Sequence, residues 1–124
     1  MPPDQTPECE FYIPKNRDKN LSDGQPHPTE AWEWLDNELD TEFQAGTMAP
    51  GLYRGFYRDP DTHERVDDES YKFIVAIPAS ALPRLRGLLM RACNVFQQKC
   101  IYLSVAGQVE FVWGDDHETN GSIH

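Results

Sequence analysis

Two stretches of helical periodicity with a pair of strand-like runs between them leave this chain few folds to adopt. In the first stretch Trp32, Leu35, Leu39 and Phe43 recur at spacings of three, four and four, one apolar stripe along a helix. Thr29 reads as its N-cap, and Glu30 and Glu33 sit in a first turn where carboxylates favour the positive end of the dipole. Gly46 falls where a left-handed C-cap belongs. In the second stretch Ser80 reads as the cap and Pro83 is tolerated in the first turn, where amides have no intrahelical acceptor. Its stripe is Leu82, Leu85, Leu89, Ala92 and Phe96, widened by Leu88 and Cys93.

The strand-like runs are Cys9 to Ile13, closed by Pro14; Gly51 to Arg58; Tyr71 to Ile77, closed by Pro78; and Cys100 to Val105 with Gln108 to Trp113 around Ala106-Gly107. Asp59-Pro60-Asp61-Thr62 is a turn signal, because proline presets φ and aspartate can accept hydrogen bonds from the backbone that follows it. The second and third strands therefore read as a hairpin with an extended tip. The order strand, helix, strand, strand, helix, strand predicts an α+β, ferredoxin-like βαββαβ sandwich with an extra C-terminal strand, an antiparallel sheet with two helices on one face. Residues 9–113 make one domain, 1–8 a disordered arm and 114–124 a flexible acidic tail. Lys15 to Pro28 is polar and rich in turn formers, a longer connection than most, of a kind more often functional or mobile than inert.

Aromatic side chains on these strands (Phe11, Tyr12, Tyr53, Phe56, Tyr57, Tyr71, Phe73, Tyr102, Phe111) outnumber what two helices can cover. The open side of the sheet is thus expected to be closed by a second copy, giving a homodimer, or to hold a ligand.

Charge limits the partners. The net charge of −10 excludes nucleic-acid binding by bulk electrostatics. Its distribution is uneven. Glu30 to Glu69 holds twelve acids against Arg54, Arg58 and Arg65, whereas Ala79 to Val109 holds no acid and only Arg84, Arg86, Arg91 and Lys99. The acidic first helix and the basic second one are expected to neutralise each other across solvent, with any unpaired cations left for an acidic protein partner or a small anion. No run approaches the roughly 20 apolar residues that span a bilayer, and Met1 to Gln5 lacks the marks of a secretory signal, so the expected address is the cytoplasm. Cys9, Cys93 and Cys100 form no CxxC pair and read as reduced, mostly buried thiols.

The densest set of reactive side chains runs from Arg54 to Glu69. Arg54 and Arg58 share a strand face by the period of two, and with Tyr57 beside them two guanidiniums suit a carboxylate or phosphate. His63, flanked by carboxylates, is a candidate general base. Asp59-x-Asp61-x-His63 lacks the glycine of a calcium loop, so no metal and no cofactor is expected. There is no GxGxxG, no phosphate loop, no HExxH and no GxSxG.

Trp34-Leu35-Asp36-x-Glu38, Phe43-x-x-Gly46-Thr47, Gly51-x-Tyr53-x-Gly55 and Asp68-Glu69-Ser70 leading into an aliphatic strand resemble a group of short, uncharacterised bacterial proteins of ferredoxin-like build. The resemblance spans Phe11 to Phe111 and implies the fold, with no activity or site residues attached. Two functions follow from the residues themselves. One is a binding or self-associating module that uses its aromatic sheet face. The alternative is a small-molecule enzyme with its site near Arg54, Arg58 and His63.

Overall fold

Burial alternates strictly along Glu8–Pro14 (β1), with Cys9, Phe11 and Ile13 inside, and this places β1 at the heart of the sheet. The computed structural model describes Pro2 and residues 5–114. The second element is the helix Thr29–Phe43 (α1), followed by the two-residue strand Thr47–Met48 (β2), then Tyr53–Arg58 (β3) and the long Arg65–Ala76 (β4). A single 3-10 turn at Ala79–Ala81 leads into the helix Leu82–Val95 (α2), and Cys100–Val105 (β5) and Gln108–Trp113 (β6) complete the chain order.

β1 is antiparallel to β4 from Glu8↔Ala76 to Pro14↔Ser70, and antiparallel to β5 from Cys9↔Val105 to Phe11↔Leu103. β6 pairs along all of β5. The far side of β4 carries two short partners at different heights, β2 against Phe73 and Ile74 and β3 against Arg65 to Ser70. The sheet is six-stranded and antiparallel throughout. Leu35 and Leu39 of α1, Leu85, Leu88, Leu89 and Ala92 of α2, and Phe11, Val75 and Leu103 of the sheet all join one apolar cluster, so both helices cover the same face. Across their outer surfaces Arg91 meets Glu38 at 2.9 Å and Arg84 meets Glu42 at 3.6 Å, the neutralisation expected of an acidic and a basic helix. Among the described residues no helix is long and apolar enough to cross a membrane.

Several local expectations are corrected. Thr29 is the first helical residue and not the cap. Pro28 holds the cap position without a side-chain bond, its carbonyl accepting from the Ala31 N–H at 3.0 Å. Ser80 likewise makes no cap bond, because a 3-10 turn delivers the chain into α2. The left-handed C-cap of α1 is Gln44, at φ 54, two residues ahead of Gly46. Gly46 instead gives clearance over the core, since a Cβ there would lie 3.3 Å from Leu39 Cδ1. The acidic connector before Tyr71 belongs to β4: Arg65 to Glu69 pair backbone to backbone with β3 although they carry no apolar alternation. Ala106 and Gly107, both at positive φ, form the tight β5–β6 turn that suits the right-handed twist of a hairpin. The expected arm falls partly, and the expected tail beyond Gly114 wholly, outside the described residues; of the arm, Gln5 and Pro7 accept bonds from Ala79 and Ile77.

The 15–28 segment is ordered by bonds within it and to its neighbours. Arg17 N–H donates to the Gln25 carbonyl at 2.8 Å, and the Arg17 guanidinium grips Asp23 at 2.7 and 2.8 Å. His27 ties its end to β1, with Nε2 2.7 Å from the Pro14 carbonyl and the ring edge-on to Trp32 and Phe96. A carbonyl only accepts, so Nε2 carries the proton, and the buried Nδ1 has no partner among the described residues. Burial pushes the His27 pKa down, the Pro14 carbonyl opposes this, and Arg17 adds to the depression. Its folded value therefore lies below the ordinary 6.5. Stability is full above that ordinary value and is lost as pH falls through the folded one, because the unfolded chain takes up the proton first. His27→Gln, whose amide still reaches the Pro14 carbonyl, is expected to flatten this loss in urea titrations between about pH 7 and about pH 5. An unaltered slope would assign the loss to other groups.

Candidate functional site

The ladder of β1 stops at Pro14↔Ser70, while β4 runs on to Arg65 with only β3 beside it. The 15–19 stretch and the 97–100 stretch close in on the vacant flank, fixed by Lys15 N–H to the Glu69 carbonyl at 2.9 Å and Asp18 N–H to the Gln97 carbonyl at 3.0 Å. Between them and the β3–β4 hairpin lies a cleft of about 790 Å³. A basin of about 700 Å³ opens on the sheet face that the helices do not cover. Tyr57, Asp68, Arg54 and Gln98 line both, so the two spaces meet around the same side chains.

Strand register decides what the basin is made of. Phe11, Ile13, Ile101, Leu103 and Val112 face the helices, so their neighbours Tyr12, Cys100, Tyr102 and Phe111 turn the other way. Tyr53 lies opposite Ser70 and Gly55 opposite Asp68, bringing Tyr53, Tyr57, Asp68 and Ser70 to the same face. Aromatic rings then touch edge to face across the sheet, Tyr53–Tyr12 at 5.7 Å, Tyr12–Tyr102 at 5.2 Å and Tyr102–Phe111 at 5.9 Å.

The polar groups set in this apolar wall are perturbed. Burial raises the pKa of Asp68, the neighbouring Asp67 charge raises it further, and a hydrogen bond from Ser70 pulls the other way. Burial also raises Tyr57, helped by Asp18, Asp68, Cys100 and Asp59, so its phenol stays protonated. Cys100 is pushed up to about 11 by burial and by Asp18 and Asp59, with Lys99 opposing, and it stays a thiol at neutral pH.

One carboxylate ties the walls together. Asp59 is wholly buried; its Oδ1 accepts from the N–H groups of Asp61 and Thr62 at 2.8 and 2.9 Å, closing the hairpin turn. Asn20 of the long loop donates to Oδ2 at 3.2 Å, and Lys99 at the entrance to β5 reaches both oxygens at 3.1 and 3.0 Å and Asp61 at 2.7 Å. Burial alone would raise the Asp59 pKa, but the backbone donors, Lys99 and Asn20 hold it well below the carboxylate range.

Of the residues singled out in the sequence, Tyr57 faces the basin. Arg54 and Arg58 border it but project from the other side of β3, where Arg54 lies near Glu69 and Arg58 Nη1 lies 3.4 Å from the His63 carbonyl. His63 is exposed in the turn at φ 62 and lines neither space, so the structure does not bring it to the others. Asp18, Asp68 and Cys100 share the neighbourhood of Tyr57 but come from three distant segments, so nothing in the order of residues groups them. Among the described residues no cluster of three or more His, Cys, Asp or Glu is arranged to hold a metal.

No family model and no curated protein matches this sequence. The fold is shared with solved structures of a phage SAM lyase. The complex with S-methyl-5′-thioadenosine aligns with a TM-score of 0.65 at 11% identity, covering 89% of this chain and 91% of the other. The apo form aligns with a TM-score of 0.61 at 10% identity, covering 88% and 90%. At these identities the likeness establishes a common fold.

Proposed function

We propose that this chain is a ferredoxin-like sandwich extended by β6, and an enzyme that binds S-adenosylmethionine or a closely related sulfonium nucleoside and cleaves its carbon–sulfur bond. The architecture is supported by the spatial order β3-β4-β1-β5, in which each helix bridges two strands separated by a third. The observation that carries the activity is the basin, a wall of aromatic rings with the half-buried Asp68 carboxylate set into it. A sulfonium ion is a cation with an apolar periphery, the class of group that aromatic faces and a carboxylate hold together. The flat rings of Tyr12, Tyr53 and Tyr102 suit a purine as well. The shared fold, aligned over nine tenths of both chains, adds the substrate class.

In such a reaction the bond from sulfur to the four-carbon fragment breaks and both electrons go to sulfur, releasing neutral S-methyl-5′-thioadenosine. The fragment completes itself by closure of its own carboxylate onto the broken carbon or by loss of the adjacent proton, and water is not consumed. Tyr57 offers a neutral hydroxyl donor and Asp68 an anionic acceptor at the site. Incubation with S-adenosylmethionine is expected to yield S-methyl-5′-thioadenosine and a four-carbon product in equal amounts, with no label taken from ¹⁸O-water, read by mass spectrometry. Recovery of intact substrate, with no shift in melting temperature on adding it, would overturn the reading.

A second reading, a binding module that self-associates as a homodimer through the sheet face, is favoured by the exposure of Val109 (52%) and Phe111 (57%) on that face. Sedimentation velocity distinguishes it: a monomer at all concentrations removes it.

A further inference from the structure

Between α1 and the sheet edge at β2 lies a groove of about 650 Å³ that shares no lining residue with the cleft or the basin. Its floor is apolar, built from Trp32, Leu35, Leu39, Tyr71 and Phe73, and Met48 stands exposed on the opposite lip. Asp36 and Asp40 form the helical lip, one turn apart on the same face of α1. Among the described residues no lysine or arginine lines the groove. The carboxylates of α1 are thus divided. Glu38 and Glu42, turned toward α2, are matched by Arg91 and Arg84. Asp36 and Asp40 have no cation at ion-pair distance among the described residues.

We propose that this groove docks a basic segment of another protein, with an aliphatic or aromatic side chain on the Leu35–Phe73 floor and lysines or arginines against Asp36 and Asp40. Charge complementarity selects this occupant. The same carboxylates repel phosphate, which disfavours an anionic membrane and nucleic acid. A second copy has less to offer: the apolar stripe of α2 is buried and its Arg84, Arg86 and Arg91 already meet Glu42, Glu110 and Glu38, while on the exposed Arg54-Phe56-Arg58 side of β3 the ring is covered by Arg65 and the acidic Asp67 and Glu69 lie opposite Phe56 and Arg54. The proposal is independent of the enzymatic reading.

The test is fluorescence anisotropy with a labelled peptide of leucine and lysine patterned as an amphipathic helix, at near-physiological salt, against the full chain. Asp36→Lys with Asp40→Lys is expected to weaken binding at least about tenfold, since two attractions become two repulsions beside the docked segment. Glu8→Lys with Glu64→Lys makes the same change in net charge away from the groove and is expected to leave affinity within about twofold. Met48→Ala is expected to weaken binding several-fold without touching charge. Folding is not at risk in the lip variant, because both positions are exposed, lysine is a good helix former, and position 40 lies in the last turn of α1, where a cation favours the dipole. Equal losses from both charge-reversal pairs would mean bulk attraction and overturn the proposal, as would equal binding of a glutamate-for-lysine peptide. A concentration-dependent dimer abolished by the lip variant would give the groove to a second copy and overturn it too.

Discussion

Asp68→Asn is expected to lower kcat/KM for S-adenosylmethionine by about 10- to 100-fold while making the protein more resistant to heat. The first half follows from the loss of one charge-assisted contact to a cationic substrate, worth about 1.5–3 kcal/mol in a partly dry site. The second follows from the cost of holding that charge where it is. Burial and Asp67 raise the pKa of Asp68 above its unfolded value, so the folded state binds the proton more tightly. Stability from this group therefore declines as pH rises from the ordinary carboxylate value through the folded one, and at neutral pH the ionised carboxylate is a liability. Asparagine removes the liability and keeps the shape. Steady-state kinetics and a thermal melt on one preparation check both halves. A fall in both activity and melting temperature would reduce Asp68 to a structural residue. Unchanged kinetics would remove it from the site.

Asp59→Ala is expected to cost about 3 kcal/mol, because it takes the buried partner from Lys99, leaving it only the exposed Asp61, and frees the turn amides of Asp61 and Thr62. Lys99→Met with Asp59→Asn should restore most of that loss, since asparagine still accepts from both amides and no charge remains buried. Urea unfolding of the parent and the two variants measures it. Asp59 also leaves a mark on the acid limb. Its folded pKa is depressed, so its contribution is present above the ordinary 3.8 and disappears as pH falls toward the folded value. An Asp59→Ala protein as stable as the parent would show that Asn20, Thr62 and Lys99 hold the hairpin, loop and β5 entrance without it.

Much of this fold was legible because its helices and central strands obey their periods. Leu35 and Leu39, and Leu85, Leu89 and Ala92, are buried as their spacing requires, and the bounds of β5 and β6 coincide with those read from the residues. Asp59-Pro60 announced its turn by chemistry alone. The missed features share a physical cause, in that tertiary contacts and not side-chain types decided them. Thr29 and Ser80 have capping hydroxyls, yet Pro28 and a 3-10 turn make the helix entrances. Arg65 to Glu69 form a strand because β3 lies beside them, with no apolar alternation to betray it. At the site, Tyr57 was visible as a tyrosine on a strand, but nothing in the order of residues separates Asp68 from Asp67. Only the pairing of Gly55 with Asp68 turns one carboxylate into the basin and the other away from it.

β4 contributes Asp68 and Ser70 to one surface and Tyr71 and Phe73 to the other, alternating sides along a single backbone. A shift of one residue along its partners would exchange these sets, sending Ser70 and Lys72 among the leucines and Phe73 into water. Such a shift has to break the ladders with β1, β2 and β3 at once. The length of this strand is therefore a safeguard of alignment, and the identity of two remote surfaces is stored in one phase relation.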